Sequence, residues 1–249
     1  MQKEKENIRD FYNKTADKFT QTRQKFWPEF EYIKQEIATI IWHKWKIKIL
    51  ELWCWSWRLY TYLLNFFPEE LIEYKWIDIS EKIIKIAEQT WWNFEVADML
   101  EFLEKQDQQS FDFIVAVASF QHINLYRERL LIMKNIYRIL DYDGKVMMFN
   151  WSFSHWFFKK YTLDIFKSFL IGILSLFTKP INDIFIPWKQ DNKTYYRYYH
   201  IFFLFEIKKL AKISSIIVQE LCYISKTWEK TVSRKQARNS MLVWKKDIM

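Results

Sequence analysis

Residues 47–63 combine residue types that suit a binding loop for a nucleotide-like ligand. An apolar run ends in the acidic residue Glu51, and Trp53, Trp55 and Trp57 then alternate with small polar residues where a tight turn should follow. With glycine at these three positions, the segment is a strand, a glycine-rich turn and the start of a helix. Such a turn needs glycine because its backbone adopts positive φ and approaches the ligand without an intervening Cβ atom.

The composition of the chain indicates that many of its tryptophans occupy glycine positions. The 249 residues include 2 Gly and 14 Trp, whereas a chain with the average share of about 7 % would contain roughly 17 Gly. Our hypothesis is UGA recoding: UGA codons that the natural host reads as Gly are written here as Trp. The alternative is a truly Trp-rich protein, in which three Trp residues would strain and overpack this turn. The positions assigned to Gly are Trp45, Trp53, Trp55, Trp57, Trp76, Trp244 and one or both of Trp91 and Trp92, whereas Trp27 and Trp188 are assigned as true Trp.

The elements around this turn alternate between strands and helices. Strands are predicted at residues 47–52, 73–77, 93–97, 111–119, 145–150, 216–223 and 240–243. Helices are predicted at residues 3–20, 29–40, 58–66, 80–89, 125–140 and 204–213, with a turn at 141–145. This order predicts an α/β fold with a doubly wound, mostly parallel seven-stranded sheet, whose ligand site lies at the C-terminal strand ends.

The chain is expected to form a single domain over residues 1–249. It divides into an N-terminal helical extension, a ligand-binding core, an aromatic and basic insertion or lid, and a C-terminal helix with strands. These parts cover residues 1–45, 46–151, 152–200 and 201–249.

Charge and cysteine usage restrict the compartment and the partners. The net charge of +8 suits a polyanion such as RNA, although an AT-rich genome also produces Lys-rich chains. Cys54 and Cys222 are far apart and lack CxxC or His spacing, so we expect a reducing compartment and no metal site. The charged N-terminus lacks the apolar core of a signal peptide, so a cytoplasmic location is expected.

One apolar segment bears on membrane contact. Residues 166–177 are too short to span a bilayer, which takes about 20 residues. They are expected to form a buried or lid helix, with an interfacial membrane helix as the alternative. No membrane contact is therefore expected.

Four motifs in order carry a family resemblance. ELWCWSWRL at residues 51–59, WIDIS at 76–80, VADM at 96–99 and LDYDGK at 140–145 together resemble the class I S-adenosylmethionine-dependent methyltransferases, of the methyltransferase type 11-like kind. The resemblance implies a Rossmann-like methyltransferase fold, S-adenosyl-L-methionine as the cofactor, and transfer of its methyl group.

The resemblance also implies roles for individual residues. Glu51 would lie below the methionine amino group, Asp78 would accept hydrogen bonds from the ribose hydroxyls, and Asp98 would receive the adenine amino group. The alternatives are an acid before the helix N-cap Ser80 for Asp78 and a helix cap for Asp98. The implied cofactor-binding residues are Glu51, Trp53, Cys54, Trp55, Trp57, Asp78, Ile79, Asp98, Met99 and Ala118.

His122 follows the fourth predicted strand, where this family places residues beside the methyl group. It is assigned as the catalytic residue, either as a base or as a substrate contact, with a packed structural role as the alternative. Methyl transfer to an anion such as a carboxylate needs little acid–base help, because the enzyme mainly aligns the reacting atoms.

Two flanking segments resemble a narrower group, the tRNA wobble-uridine methyltransferases that esterify a 5-carboxymethyl group. They are FYNKTADKFTQTRQKFWPEF at residues 11–30 and IPWKQDNKTYYRYYHIF at residues 186–202. The implied substrate-binding residues are Arg23, Lys25, Arg197, Tyr199 and His200. Arg and Tyr suit phosphate, carboxylate or base contacts, and tRNA would be the partner.

Two other functions remain open for the sequence. An aromatic lid would equally serve a small-molecule methyltransferase acting on a quinone or lipid precursor. A noncatalytic binding protein with a degenerate methyltransferase fold is the alternative from another class.

Overall fold

An eight-stranded sheet forms the centre of the computed structural model, which describes residues 2–22, 25–53, 57–89, 93–174 and 180–246. The helices are α1 (Gln2–Gln21), α2 (Glu29–Ile41), α3 (Arg58–Leu63), α4 (Glu81–Ala87), α5 (Met99–Lys105), α6 (Tyr126–Ile139), α7 (His155–Leu174) and α8 (Leu204–Ile213). The strands are β1 (Ile47–Leu52), β2 (Ile72–Asp78), β3 (Phe94–Val96), β4 (Phe111–Val117), β5 (Leu140–Trp151), β6 (Asp183–Gln190), β7 (Lys193–His200), β8 (Val218–Ser225), β9 (Lys230–Thr231) and β10 (Ala237–Lys245). Short 3-10 helices lie at Glu69–Leu71 and Phe120–His122.

The sheet is parallel through its first five strands and antiparallel beyond them. Its order is β3-β2-β1-β4-β5-β10-β8-β9. Every residue of β4 is buried, as expected for a central parallel strand that helices cover on both faces. The chain adds β2 and β3 on one side of β1 and then crosses over to add β4 and β5 on its other side. A ligand crevice is expected at the C-terminal ends of β1 and β4, where the strand order switches sides.

Helices cover both faces of the sheet. Apolar residues of α2 and α3 pack on one face, and those of α1, α5, α6 and α8 pack on the other. In α1 the buried positions include Ile8, Phe11, Tyr12, Ala16 and Phe19, which is the helical spacing that predicted this helix.

The sheet has eight strands rather than the predicted seven. The additional strand is β9, which has only two residues and pairs antiparallel with β8. A two-residue strand has no hydrophobic alternation of its own, so sequence periodicity does not detect it.

The segment predicted as a turn at residues 141–145 belongs to β5. This strand begins at Leu140, and Asp143 has φ 59° within it. The backbone amide of Asp143 donates to the carbonyl of Lys246 over 3.0 Å. The Asp and Gly residues therefore produce an irregularity inside a paired strand rather than a chain reversal.

The described residues of 152–174 and 180–200 form a subdomain over the C-terminal edge of the sheet. Helix α7 packs beside a separate two-stranded antiparallel hairpin of β6 and β7. The hairpin reaches the core through α1 and the 3-10 helix at Phe120–His122. Among the described residues, none of the helices has the length and apolar character needed to cross a membrane.

Candidate functional site

The loop after β1 places two tryptophans in backbone conformations that favour glycine. Trp53 has φ 62°, and Trp57, the residue before α3, has φ 41°. The amide of Trp53 donates to the carbonyl of Ile77 over 2.9 Å, which holds the loop start against β2. Cys54 and Trp55 lie outside the described residues.

The Trp53 side chain fills the crevice at the sheet edge. It is buried and lines two voids of about 10 Å³ each. A void of this size holds at most about one water molecule. The indole Nε1 has no hydrogen-bond partner among the described residues. The crevice with Trp at this position therefore does not fit a nucleotide-like cofactor.

Glu51 and Asp78 lie buried at the ends of the adjacent strands β1 and β2. The Tyr74 hydroxyl donates to Oε2 of Glu51 over 3.1 Å, and burial raises the pKa of Glu51 to about 8. The amide of Ser80 donates to Oδ1 of Asp78 over 2.9 Å. Both carboxyl groups thus occupy the strand ends where the sequence predicted them.

Asp98 is the N-cap of α5. Its Oδ1 accepts from the amides of Leu100 and Glu101 over 3.0 and 3.3 Å, and from Nζ of Lys5 over 3.2 Å. Oδ1 of Asp98 therefore caps the helix, which is the alternative role given for this residue. Asp98 also lines one of the voids beside Trp53.

Three apolar residues predicted to bind the cofactor surround this edge. Ile79 lines the same void as Asp98, and Met99 is fully buried. Ala118 follows β4 with φ 53°, and its amide donates to the carbonyl of Phe149 over 2.8 Å.

His122 is held as a neutral ring by two buried contacts. Nδ1 lies 2.9 Å from the carbonyl oxygen of Tyr198, and Nε2 lies 3.1 Å from the Tyr12 hydroxyl. A carbonyl can only accept, so Nδ1 carries the proton and Nε2 accepts from Tyr12. Burial lowers the pKa of His122 to about 3. The Trp53 ring centroid lies 5.6 Å from that of His122.

Arg197 and Tyr199 lie on the face of β7 that points toward this edge. The Arg197 guanidinium is 4 % exposed and lies 5.0 Å from the Phe11 ring centroid and 5.2 Å from those of Trp188 and Tyr199. Its described polar partner is the Tyr12 hydroxyl. Tyr199 also packs against His122, with the ring centroids 4.5 Å apart.

His200 belongs to a different cluster, because side chains alternate between the two faces of a strand. Its Nδ1 lies 2.6 Å from Oδ1 of Asp183, and its Nε2 lies 3.0 Å from NH1 of Arg129. Arg129 also donates to the carbonyls of Ile123 and Asn124 over 2.8 and 2.9 Å. This cluster ties the hairpin to the loop after His122.

The other two predicted substrate residues do not join the cluster around His122. The Lys25 side chain is exposed, and its backbone carbonyl accepts from NH1 of Arg58 over 2.7 Å. Arg23 lies outside the described residues.

Sequence reasoning missed Tyr12 and Arg129. Tyr12 belongs to the apolar stripe of α1, and a Tyr within such a stripe needs a polar partner when it is buried. Arg129 interrupts the apolar face of α6 among buried positions, which is a comparable signal. Within the described ranges, no group of three or more His, Cys, Asp or Glu residues is arranged to hold a metal ion.

A comparison with protein families matches residues 59–148 to a model described as a methyltransferase domain. No curated protein matches the sequence.

Solved structures share the fold at low sequence identity. A methyltransferase of the S-adenosylmethionine-dependent kind from Methanosarcina mazei is 17 % identical with a TM-score of 0.64, over 85 % of this chain and 98 % of that one. The 1,6-didemethyltoxoflavin-N1-methyltransferase from Burkholderia thailandensis, solved with 1,6-didemethyltoxoflavin and S-adenosylhomocysteine, is 9 % identical with a TM-score of 0.59, over 97 % and 88 %. A putative methyltransferase from Haloferax volcanii, in complex with the Trm112 activator, is 12 % identical with a TM-score of 0.61, over 97 % and 98 %.

These structures show the fold, and the family match shows the kind of domain that the fold carries. The matched segment begins just after the loop of Trp53 and Trp57 and contains β2 to β4 and most of β5. Residues 59–148 thus carry a methyltransferase domain, within a chain whose fold resembles that of solved S-adenosylmethionine-dependent methyltransferases.

Proposed function

We propose that this methyltransferase acts on a carboxylate that Arg197 binds, and that the natural acceptor is the 5-carboxymethyl group of a tRNA wobble uridine. The observation that carries the proposal is the state of the Arg197 guanidinium. It is buried, its Nε has no hydrogen-bond partner, and no described acidic side chain forms an ion pair with it. A buried cation without a counter-ion is costly, and an anionic ligand would relieve that cost.

The side chains packed around Arg197 suit a carboxylate nucleophile. We call Arg197 with the buried side chains of Tyr12, His122 and Tyr199 the Arg197 cluster. An acceptor bound to this cluster would be shielded from water. His122 is neutral and donates from Nδ1 to the hairpin, while Tyr12 bridges His122 and Arg197. Arg197 would hold and orient the carboxylate, and Tyr12 and His122 would position Arg197. A carboxylate has no proton to lose, so no base is needed.

Two features support RNA as the source of this carboxylate. The net charge of +8 favours a polyanion. Arg197 and Tyr199 belong to the segment at 186–202 that resembles the wobble-uridine enzymes, and both belong to the Arg197 cluster. The burial of this cluster instead favours a second candidate acceptor, a small carboxylate-bearing molecule.

The function requires a cofactor crevice, and we propose UGA recoding as the reason that it is filled here. Trp53 and Trp57 have positive φ, at 62° and 41°. The indole nitrogens of Trp53, Trp76 and Trp244 are buried and have no hydrogen-bond partner among the described residues. These properties fit glycine better than tryptophan.

The exposure and packing of three other tryptophans support the same division between recoded Gly and true Trp. Trp45 is 88 % exposed in the turn before β1. By contrast, the two assigned as true Trp both contact a cation: Arg58 lies 4.5 Å from the Trp27 ring and Arg197 lies 5.2 Å from the Trp188 ring. If all 14 are true tryptophans, the chain is instead a noncatalytic protein with this fold.

The test uses the chain with Gly at positions 53, 55, 57 and 76. It is incubated with labelled S-adenosylmethionine and tRNA carrying 5-carboxymethyluridine, and the methyl ester is quantified by mass spectrometry. Arg197→Met should lower kcat/KM about a hundredfold, because it removes a buried charge-assisted contact, whereas Lys85→Gln, at an exposed position of α4, should have little effect.

Two outcomes would contradict parts of this proposal. Equal activity of Arg197→Met and the parent would remove Arg197 as the acceptor anchor. Esterification of a free carboxylate but not of tRNA would favour the small-molecule candidate.

A further inference from the structure

Helix α7 presents a broad apolar surface that no described part of the chain covers. Leu163 is 74 % exposed, Phe166 57 % and Leu174 83 %. The exposed large apolar side chains described for α7 are Phe158, Leu163, Phe166, Phe169, Leu170, Ile171, Ile173 and Leu174. The outer face of a helix on a soluble domain is normally polar, so a contiguous patch of this kind marks an interaction surface.

An apolar cavity of about 370 Å³ opens beside the same helix. It is lined by Phe153, Phe158, Thr162, Ile165, Phe166, Phe169, Ile181 and Phe203. Phe166 and Phe169 belong to both the cavity wall and the exposed face. The surface therefore combines protruding aliphatic side chains with a recess that suits an acyl chain.

The charges on α7 are mainly positive. Lys159 and Lys167 are exposed, and neither forms an ion pair with a described residue. Lys167 lies between Leu163 and Ile171 at a spacing of four residues, so its ammonium emerges from the apolar face. The one acidic residue of the helix is Asp164, which is half-buried and lines a neighbouring cavity.

We infer that α7 docks on an anionic lipid bilayer, lying in the interface with the side chains of Leu163, Phe166 and Leu174 among the acyl chains. Lysines that emerge from an apolar helix face extend toward lipid headgroups. A second copy of the chain is the less suitable partner for this face, because it would bring unpaired lysines and a net charge of +8 against the same charges. The helix would lie on the bilayer rather than cross it.

The inference takes up the interfacial alternative for residues 166–177, which were expected to form a buried or lid helix. Most side chains of residues 166–174 are exposed rather than buried, and residues 175–177 lie outside the described residues. The docking surface lies on α7, whereas Arg197 belongs to β7 and His122 contacts the same strand. Membrane binding and methyl transfer are therefore separately testable.

The test is vesicle flotation of the full chain on phosphatidylcholine vesicles with and without a phosphatidylglycerol fraction. We expect flotation with the anionic vesicles, weakened by added salt. Leu163→Ser, Phe166→Ser and Leu174→Ser combined should reduce the bound fraction at least tenfold. Lys159→Gln and Lys167→Gln should each weaken binding about fivefold.

The matched control is Ile213→Ser with Ile217→Ser, which removes two exposed apolar side chains at the C-terminal end of α8 and after it. This control should float like the parent chain. Absence of flotation on anionic vesicles, or flotation that the α7 triple variant retains, would overturn the inference. Sedimentation that shows a dimer dispersed by the triple variant, without lipid binding, would assign the surface to a second copy.

Discussion

The Tyr12 hydroxyl lies 3.1 Å from Nε2 of His122 and also bonds Arg197. This contact joins the N-terminal helix to the loop after β4 and to the hairpin, three elements that are far apart in the sequence. The Arg197 cluster, which is proposed to bind the acceptor, is thus assembled around a tyrosine hydroxyl.

Tyr12→Phe should weaken both the fold and the acceptor site. It leaves Nε2 of His122 buried without a donor, which costs about 1–3 kcal/mol. We expect the free energy of unfolding, measured by urea titration, to fall by that amount. Tyr32→Phe is a control, since the Tyr32 hydroxyl bonds only the carbonyl of Trp228 near the surface. Equal stability of Tyr12→Phe and the parent would contradict the buried bond.

The buried neutral His122 should make the protein acid-sensitive. Its pKa is lowered to about 3 in the folded chain by burial, whereas an unfolded histidine has a pKa of about 6.5. Between these values the unfolded chain binds more protons than the folded chain. The contribution of His122 to stability is therefore fully present above about pH 6.5 and is lost as the pH falls toward 3.

Unfolding titrations at a series of pH values between 7 and 5 test this contribution. His122→Gln should show a shallower loss of stability with falling pH than the parent, because the titrating group is gone. Parallel curves for the two proteins would mean that His122 titrates normally in the fold.

Glu51 should destabilise the fold at neutral pH. Burial raises its pKa to about 8 from the usual 4.5. Between pH 4.5 and 8 the folded chain therefore binds more protons than the unfolded chain. The contribution of Glu51 to the free energy of unfolding falls as the pH rises through this range. Glu51→Gln should raise the melting temperature at pH 8 more than at pH 5.

In the chain with Gly at the loop positions, Glu51→Gln should also weaken cofactor binding. Unchanged binding would remove Glu51 from the cofactor site.

Arg129 should hold the hairpin closed. It bonds the loop at Ile123 and Asn124 and the hairpin at Tyr198 and His200. Arg129→Leu should cost on the order of 3 kcal/mol, because it leaves buried acceptors unpaired. Limited proteolysis should then cleave within residues 183–200 sooner than in the parent. Arg127→Leu, at an exposed position of the same helix, should leave the cleavage pattern unchanged.

Trp57→Gly should stabilise the chain. Trp57 has φ 41°, and a residue with a side chain in that conformation costs about 1–2 kcal/mol. Trp27→Gly should instead lower stability, because Trp27 packs against Phe30 and Arg58. Destabilisation of similar size by both changes would contradict the division between recoded and true tryptophans.

Much of the fold could be predicted from local sequence patterns. The apolar runs that became β1 and β4 and the amphipathic spacing of α1 and α8 each act over a few residues, so the sequence reveals them directly. Strands β1 and β2 end within one residue of where the sequence predicted, and Glu51 and Asp78 lie at those ends. In β7, the alternation of a strand was enough to separate Arg197 and Tyr199 from His200, although all three were predicted for one site.

The remaining features depend on contacts between distant segments. The bond between Tyr12 and His122 and the bond between Arg129 and His200 join residues separated by 110 and 71 positions. No local pattern encodes such pairs. The exposure of α7 was also missed, because an apolar segment predicts burial whether or not another element covers it.

Cofactor binding by calorimetry, on the chain as written and on the chain with Gly at positions 53, 55, 57 and 76, is the most direct test of the enzyme class and the recoding together. We predict that the glycine version binds S-adenosylmethionine and that the version with Trp53 in the crevice does not. Equal binding by both versions would contradict the recoding, and no binding by two folded versions would contradict a cofactor site at this edge of the sheet.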